Sequence, residues 1–313
     1  MRVVVLAGGT GGAKLADGLQ AVLAPGELTV IVNTGDDTER HGLLVMPDHD
    51  AVMYMLAGRF DFERGWGLAG ETWTVMDALA EYGEEAWFRL GDRDFATHIA
   101  RTARIREGRA LTTVVLALQR AIGITSAILP MTDAPVRTQV RTDEGWLDFQ
   151  EYFVHRHQAP EVREVRFAGI ESARPSERVA AAFAAARVVV IGPSNPIVSI
   201  GPILAVPGML DLVDAARTRG VPVVAVSGIV GGKALKGPAD RMLVSFGLES
   251  SARGVAERYA SWIDDFVLDT VDRALEPRIR ALGLRTLVTD TIMADHAGRE
   301  RLARAVLAFA TTR

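Results

Sequence analysis

The chain opens with Val3-Val4-Val5-Leu6-Ala7-Gly8-Gly9-Thr10-Gly11-Gly12-Ala13-Lys14, and this stretch decides how it folds. Arg2–Leu6 is β-branched and apolar on both faces, which is typical of a strand buried in a parallel sheet. Ala13–Leu23 then has apolar residues at positions 15, 19, 22 and 23, the stripe of an amphipathic helix. Leu28–Val32 repeats the buried-strand pattern. This β-α-β order predicts a parallel sheet.

The same alternation returns in the second half of the chain, after a segment of different character. Residues 51–168 contain helical patterns near 51–56, 74–82, 93–107 and 110–122, followed by a predicted hairpin of Arg137–Thr142 and Trp146–Tyr152. Beyond them we predict helices at Ser176–Arg187, Gly208–Arg219, Ser251–Asp265 and Ala297–Ala310, and strands at Val188–Ile191, Val221–Val226 and Arg285–Val288.

These elements predict an α/β fold: a doubly wound, mostly parallel Rossmann-like sheet with an inserted helical-plus-hairpin subdomain. The chain is expected to form a single α/β unit over residues 1–313. Residues 1–50 and 169–313 would form the nucleotide-binding sheet core, and residues 51–168 the inserted subdomain.

The composition is that of an ordinary globular protein, and it excludes several classes of site. The 313 residues are 49% hydrophobic and include no cysteine, which excludes disulfides, iron–sulfur clusters and a cysteine nucleophile. The net charge of −4 argues against nonspecific binding of nucleic acid or membranes. The N-terminal apolar run is too short for a signal peptide, and no stretch approaches about 18 apolar residues. We expect a cytoplasmic protein that binds neither nucleic acid nor a membrane.

The glycine-rich turn after the first strand predicts an anion site. Glycines let the backbone approach a phosphate, and the following helix offers free N–H groups and the positive end of its dipole. Two common variants fail: a Walker A loop needs Ser or Thr where Leu15 stands, and a dinucleotide fingerprint starting at Gly9 needs Gly where Lys14 stands. A tight turn that serves packing alone is the alternative. Nucleotide or phosphate contacts are predicted for Gly8, Gly9, Thr10, Gly11, Gly12 and Lys14.

Four aspartates follow the second predicted strand. Asp36 and Asp37 end the segment Asn33-Thr34-Gly35-Asp36-Asp37, at the carboxyl end of a strand, where open parallel sheets bind their ligands. Such a pair fits either the ribose of a dinucleotide or a Mg²⁺ ion. Asp48 and Asp50 lie in Pro47-Asp48-His49-Asp50, where an aspartate is also a common helix cap. An acidic turn and a helix cap are the alternatives to a metal site.

A stiff polar loop and a charged helix start are further candidates. The loop Gly192–Ser199 follows a buried strand, so we predict a nucleotide pocket that includes Ser194, Asn195 and Ser199. The segment Leu90–His98 begins a helix at Asp92, with Arg89 nearby to face an anion, although a solvated surface helix is the simpler interpretation of that segment alone. Trp66 can stack on a flat ligand, but a place in the core is the more common role.

Taken together and in this order, these motifs resemble the 2-phospho-L-lactate transferase family (CofD and FbiA proteins) over essentially the whole chain. The most specific are Gly-Pro-Ser-Asn-Pro followed by Ser-Ile-Gly-Pro-Ile in 192–203, and Leu-Gly-Asp-Arg-Asp-Phe-Ala-Thr-His in 90–98. Gly228 and Lys233 depart from the pattern of archaeal members. They lie near phosphate loops, so the identity of the donor stays open.

The resemblance implies a Mg²⁺-dependent transferase that forms a phosphodiester in the biosynthesis of coenzyme F420. The implied donor is guanosine diphosphate carrying lactate, enolpyruvate or glycerate on its terminal phosphate. The implied acceptor is the ribityl hydroxyl of the deazaflavin 7,8-didemethyl-8-hydroxy-5-deazariboflavin (Fo). Transfer would release GMP and give coenzyme F420-0 or its dehydro or glyceryl analogue.

Under this resemblance the candidate residues receive roles. The glycine turn and the 192–199 loop would bind the guanosine nucleotide. The acidic residues and the helix start are assigned as follows: Mg²⁺ ligands Asp36, Asp37, Asp48 and Asp50; catalytic residues Asp36 and Asp50; acceptor-binding residues Asp50, Arg89, Trp66 and Asp92.

We also expect a homodimer. An NAD(P)-dependent Rossmann oxidoreductase and a nucleotide-binding regulator are the alternative functions.

Overall fold

The computed structural model describes residues 1–312, in which strands and helices alternate along most of the chain. The strands are β1 Val3–Ala7, β2 Leu28–Val32, β3 Thr38–Arg40, β4 Leu43–Val45, β5 Ala127–Pro130, β6 Arg137–Thr142, β7 Gly145–Asp148, β8 Glu164–Ala168, β9 Val188–Ile191, β10 Val223–Val226, β11 Ile229–Val230, β12 Lys233–Ala234, β13 Asp265–Asp269 and β14 Arg285–Thr289.

The α-helices are α1 Gly9–Val22, α2 Pro47–Leu56, α3 Thr74–Glu81, α4 Asp92–Arg106, α5 Leu111–Ala121, α6 Glu177–Ala185, α7 Ile200–Ala205, α8 Met209–Thr218, α9 Ala239–Ser245, α10 Ala252–Tyr259, α11 Glu276–Arg280 and α12 His296–Thr311. A π-helical segment covers Glu151–His155, and 3₁₀ turns cover Ile170–Ser172 and Thr270–Leu275. None of the helices in this range has the length and apolar character that spanning a membrane requires.

Seven strands of the described chain form one parallel sheet in the order β14-β13-β10-β9-β1-β2-β5. The chain moves outward from β1 to β2 and β5, and then returns to the other side of β1 to add β9, β10, β13 and β14. The winding therefore reverses between β1 and β9, and ligands of open α/β sheets bind at such a reversal. The doubly wound parallel sheet that the sequence predicts is confirmed.

Both faces of the sheet are covered, which explains why its strands are apolar throughout. In β1, Val3 and Val5 face a core shared with α1 and α12, whereas Val4 and Leu6 face a core shared with α6 and α8. All four side chains are at most 2% exposed. Full burial of such a side chain contributes roughly 1.5–3 kcal/mol, so β1 stabilises both layers at once.

Residues 51–168 supply more than helices and a hairpin. β5 lies in this segment and pairs in parallel with β2, so the segment also contributes the edge strand of the main sheet. Its hairpin belongs to a separate antiparallel sheet in the order β7-β6-β8. The second hairpin strand ends at Asp148 rather than at Tyr152, because the chain enters the π-helical segment Glu151–His155 there.

The prediction of one helix over Ser251–Asp265 is wrong at its C-terminal end. The helix α10 ends at Tyr259, and Asp265 begins the strand β13. Apolar residues at positions 255, 259, 262 and 266 keep a helical spacing across the intervening turn, which hides the strand in the sequence. All five residues of β13 are buried between its neighbours β10 and β14.

The contact between the β1–α1 turn and the loop after β9 gives a stability prediction. A Cβ atom on Gly11 would lie 2.2 Å from the carbonyl oxygen of Pro193, and a backbone atom cannot rotate out of the way. We expect Gly11→Ala to lower the free energy of unfolding by about 2 kcal/mol or more, as overpacked sites do.

Gly228→Ala is the matched control for this substitution. Its Cβ would lie 3.4 Å from the same carbonyl oxygen, which is an ordinary contact, so we expect a change below about 1 kcal/mol. Urea titration of both variants measures the difference. Equal and small effects would show that the two loops do not touch in solution as they do here.

Candidate active site

A cavity of about 510 Å³ opens at the carboxyl ends of β1 and β9, where the winding of the sheet reverses. The β1–α1 turn and the loop after β9 line it, together with loops after β2, β10 and β14, the first residues of α2, and segments within 60–66 and 149–153. Cavities of this size hold small-molecule ligands, and the carboxyl edge of the sheet is their usual place in this architecture.

The β1–α1 turn is held in place by contacts to two other segments. The N–H of Gly8 donates to Ser194 Oγ at 3.1 Å, and a Cβ on Gly8 would lie 2.6 Å from Asp48 Oδ2. The helix α1 begins without a side-chain cap, so no side chain of its own satisfies its first N–H groups. Gly12 packs against Ala7 and Ser194 and does not line the cavity. The other predicted anion-binding residues of the turn do: Gly8, Gly9, Thr10, Gly11 and Lys14.

A short hairpin brings the two acidic segments together. β3 and β4 pair antiparallel, with Thr38 opposite Val45, so the chain leaves β2, turns back and enters α2 close to its starting point. Asn33 then joins the two ends: its Nδ2 donates to Asp48 Oδ2 at 2.9 Å, and its Oδ1 accepts from the N–H of Gly35 at 2.8 Å. The sequence offers no clear signal for this hairpin.

Asp36 and Asp48 are the aspartates that line the cavity, and both are buried. Burial, reinforced by the nearby charge of Asp48, raises the pKa of Asp36 well above its usual value. Burial likewise raises the pKa of Asp48 to about 6. Within the described part of the chain, Asp36 Oδ1 has no hydrogen-bond partner. A divalent cation would stabilise both carboxylates in this environment.

Asp50 does not line the cavity, because a buried arginine holds it. Arg101 donates to both carboxylate oxygens of Asp50, with Nη1 3.1 Å from Oδ2, and also to the carbonyl oxygen of Leu44 at 3.2 Å. Burial is the largest single influence and would raise the pKa of Asp50, but the Arg101 charge, a hydrogen bond from His49 and the nearby His98 together hold the pKa well below its usual range. The catalytic and metal-binding roles of Asp50 stay predictions, and they require this ion pair to open.

Asp37 also lies outside the cavity wall. Burial raises its pKa well above the usual value, although the charges of Arg137 and Arg101 oppose the shift. The structure therefore brings all four aspartates into one region but presents only Asp36 and Asp48, among the described residues, to a ligand in the cavity.

The ion pair of Asp50 continues into a buried polar network between α2 and α4. His98 Nδ1 lies 3.7 Å from Asp50 Oδ2, and His98 Nε2 lies 4.0 Å from Asp94 Oδ1. Burial lowers the pKa of His98 to about 4 and raises the pKa of Asp94 to about 7. His98 and Asp94 are 1% and 4% exposed, so this part of the Leu90–His98 motif is core and not a solvated face.

The predicted acceptor-binding residues separate in the structure. Trp66 lines the cavity, whereas Arg89 and Asp92 do not. Asp92 accepts from the N–H of Thr74 at 3.1 Å and so caps α3. The Arg89 guanidinium lies 4.5 Å from the ring centroid of Trp73, and its side chain is half exposed.

Several aromatic side chains that the sequence analysis did not single out as site residues also line the cavity. Phe149 and Phe153 stack with ring centroids 5.4 Å apart at the π-helical segment. Phe60 and Phe62 pack edge to face at 5.2 Å. Together with Trp66, they give the cavity flat apolar walls. The π-helical segment is the local feature that could have pointed to Phe153 and the adjacent Phe149, since such segments often occur at functional sites.

Two lysines give the cavity a positively charged side, and Lys236 was not anticipated from the sequence. Lys14 and Lys236 both line the cavity. Burial lowers the pKa of each, and a neighbouring cation adds to the shift, Arg299 for Lys14 and Lys14 for Lys236. Among the lysines of the described chain, the ion pairs include only Lys233, whose Nζ is 3.8 Å from Asp240. The two cavity lysines are therefore open to an anionic ligand.

Comparison with known families now agrees with the motifs. The family model for 2-phospho-L-lactate transferase CofD matches residues 3–306. The chain belongs to this family. A 2-phospho-L-lactate transferase from Methanosarcina mazei is 41% identical over 305 residues, covering 97% of this chain and 99% of that protein. A phosphoenolpyruvate transferase from Streptomyces avermitilis is 44% identical over 317 residues, covering 99% and 98%.

A solved structure supports the fold of the family member described here. The crystal structure of a UPF0052 family protein from Bacillus halodurans superposes with a TM-score of 0.65 at 15% sequence identity, and the match covers 98% of both chains. At this identity the likeness concerns the architecture alone.

The different surroundings of Asp36 and Asp50 give a prediction for two isosteric substitutions. Because the folded-state pKa of Asp36 is raised above its unfolded value, its charge costs stability once the pH rises above about 4. We expect Asp36→Asn to raise the free energy of unfolding at pH 8 and to have no such effect at pH 4. Asp50→Asn leaves the buried Arg101 unpaired and should cost roughly 3–5 kcal/mol at pH 8.

Denaturant unfolding of both variants and the parent protein, in EDTA so that no metal contributes, measures these changes. Effects of the same sign at pH 8 would mean that Asp36 and Asp50 do not differ in their partners as the structure shows.

Proposed function

We propose that this chain transfers a phosphorylated three-carbon acid from a guanosine diphosphate donor to the ribityl hydroxyl of Fo. The hydroxyl oxygen forms a bond to the terminal phosphorus, the P–O–P bond breaks, and GMP leaves with the bonding electrons while the hydroxyl proton is released. Transferase activity of the coenzyme F420 type follows from the family and from the names of the relatives. The proposal rests on one observation above all: a single cavity combines a glycine-rich turn at an uncapped helix start, two buried acids and aromatic walls.

The names of the relatives leave the three-carbon acid open. One set is called 2-phospho-L-lactate transferase and another phosphoenolpyruvate transferase, and this chain is 41% and 44% identical to members of the two. We therefore propose a donor that carries lactate, enolpyruvate or glycerate, and the assay below distinguishes them.

The loop after β9 supports the nucleotide half of the proposal. Asn195 Oδ1 accepts from the N–H of Ile197 at 2.9 Å and so closes the loop, while Nδ2 lies 3.5 Å from Met242 Sδ. A thioether sulfur is a weak acceptor, so the amide hydrogens of Asn195 can serve a ligand. Ser194 and Ser199 line the same wall. We place guanosine on this loop and its phosphates on the β1–α1 turn.

The aromatic walls support the acceptor half. A flat deazaflavin ring fits between apolar, planar side chains, and Phe149, Phe153 and Trp66 provide them. The tail of the acceptor would then reach the phosphates on the β1–α1 turn. Contacts of Arg89 and Asp92 with the acceptor stay predictions, because both side chains contact other residues in the structure.

Mg²⁺ fits the acidic wall, and Asp36 and Asp48 are the residues that would hold it. Mg²⁺ prefers oxygen ligands and is commonly held by one or two carboxylates together with water and substrate phosphates. In residues 1–312, no group of three or more His, Cys, Asp or Glu side chains forms a complete metal site, so the substrate would supply further ligands. When bound, the ion neutralises phosphate charge during transfer.

A transfer assay tests the activity and the metal together. Purified protein is incubated with Fo and each of the three guanylated donors, and the phosphodiester product and GMP are detected by mass spectrometry. We expect product with at least one donor, loss of product in excess EDTA and recovery with Mg²⁺. Asp36→Asn should reduce kcat by about 100-fold or more, the scale of a lost catalytic electrostatic contact.

Asp143→Asn is the matched control, because Asp143 is 69% exposed and does not line the cavity. Its turnover should equal that of the parent protein. Full activity in EDTA would remove Mg²⁺ from the proposal, and no product with any donor would remove the reaction itself.

Asn195→Asp tests the nucleotide loop. The aspartate keeps the oxygen that closes the loop but replaces the NH₂ group by an acceptor. We expect GMP affinity to fall by about 1–3 kcal/mol, or roughly 5- to 150-fold, the cost of an unmatched polar contact. Isothermal titration calorimetry measures it, and an unchanged affinity would place the nucleotide on another wall.

A further inference from the structure

Lys236 connects two distant parts of the chain across the cavity. Its Nζ donates to the carbonyl oxygen of Gly65 at 2.5 Å and to Thr10 Oγ1 at 3.1 Å. Thr10 belongs to the β1–α1 turn, and Gly65 precedes Trp66 in residues 51–168. One ammonium group therefore links the anion-binding turn to the segment that carries an aromatic wall.

The chain uses lysine in very few places, and the cavity is one of them. Of its 35 lysine and arginine residues, three are lysines: Lys14, Lys233 and Lys236. Two of these three line the cavity. Arginine is a broad planar cation, whereas the lysine ammonium is a compact point charge with three donors. A lysine at these two positions is therefore consistent with a narrow site for a small, highly charged group.

Among the ion pairs of residues 1–312, neither cavity lysine has a carboxylate partner. Both are partly buried, each ammonium feels a neighbouring cation, and the known hydrogen-bond partners of Lys236 are neutral. Repulsion between two partly buried cations is relieved when an anionic group binds between them. Phosphate is such a group, and the adjoining turn already offers main-chain N–H groups to one.

We propose that Lys236 and Lys14 together bind the terminal phosphate of a nucleoside diphosphate, so that Lys236 selects diphosphates over monophosphates. This inference deepens the proposed function, because it names the groups that receive the phosphate to be transferred. Without a ligand, Gly65 and Thr10 satisfy the Lys236 ammonium, and the phosphate oxygens replace or join them on binding.

Calorimetric titration with three probes, GDP, GMP and inorganic pyrophosphate, tests the proposal in the full chain. Lys236→Met keeps most of the aliphatic stem and removes the charge. We expect this substitution to lower the affinity for GDP and for pyrophosphate at least tenfold, and the affinity for GMP less than threefold. Lys233→Met is the matched control, since Lys233 is 81% exposed, and it should leave all three affinities unchanged.

Lys236→Gln separates the charge from the bridge between Thr10 and Gly65. Glutamine can still donate hydrogen bonds to both neighbours but carries no charge. Its affinity for pyrophosphate should therefore fall as much as that of Lys236→Met. If Lys236→Gln keeps the parent affinity, or if GDP and GMP weaken equally in Lys236→Met, the terminal-phosphate assignment is wrong. Lys236→Gln also serves if Lys236→Met fails to fold, and a melting temperature for each variant shows which case applies.

The pyrophosphate arm keeps this inference distinct from the proposed reaction. The parent protein could bind pyrophosphate but not GDP, and Lys236→Gln could lose the pyrophosphate binding. That result would support the lysine subsite and contradict a guanosine donor. Parent protein that binds neither probe would overturn the subsite.

Discussion

The backbone of the β1–α1 turn touches the backbone of the loop after β9, and the arrangement of the cavity depends on that contact. There is no room for a side chain at Gly11, which faces the carbonyl oxygen of Pro193, or at Gly12, which faces Ala7 and Ser194. The glycines thus serve packing, and several of them also line the cavity, so the two interpretations of this motif, an anion site and a tight turn, are compatible. Because β1 and β9 are neighbours in the sheet, the contact between their loops sets the position of the base of the cavity, around which the other loops lie.

The charged side chains near the cavity differ in what each of them contacts. Asp36 and Asp48 face the cavity with raised pKa values, Lys14 and Lys236 face it with lowered ones, and so both pairs are poised for a ligand of opposite charge. Asp50 sits a short distance behind, where Arg101 already neutralises it. Asp48 and Asp50 are close in the sequence, but Asp48 lines the cavity whereas Asp50 forms a buried ion pair.

Sequence reasoning succeeded where a motif follows a buried strand. The β-α-β opening and the loop after β9 could be predicted because strand ends in a parallel sheet share one edge. It could not show that Asp92 accepts from the N–H of Thr74 in another helix, and it could not find Arg101 or Lys236, whose partners lie 51 and 226 residues away. The homodimer and the cytoplasmic location stay predictions.

The bridge at Lys236 also bears on the order in which the protein can acquire its activity. Thr10, Gly65 and Lys236 meet only when segments separated by 226 and 171 residues have come together. Contacts of such long sequence separation form slowly, and a chain made from its N-terminus presents Lys236 last. The residues of the β1–α1 turn are therefore made well before Lys236 is. Tight capture of a polyanion would accordingly require that the chain up to Lys236 has been made and folded, so it reports on the assembled cavity and not on the N-terminal part alone.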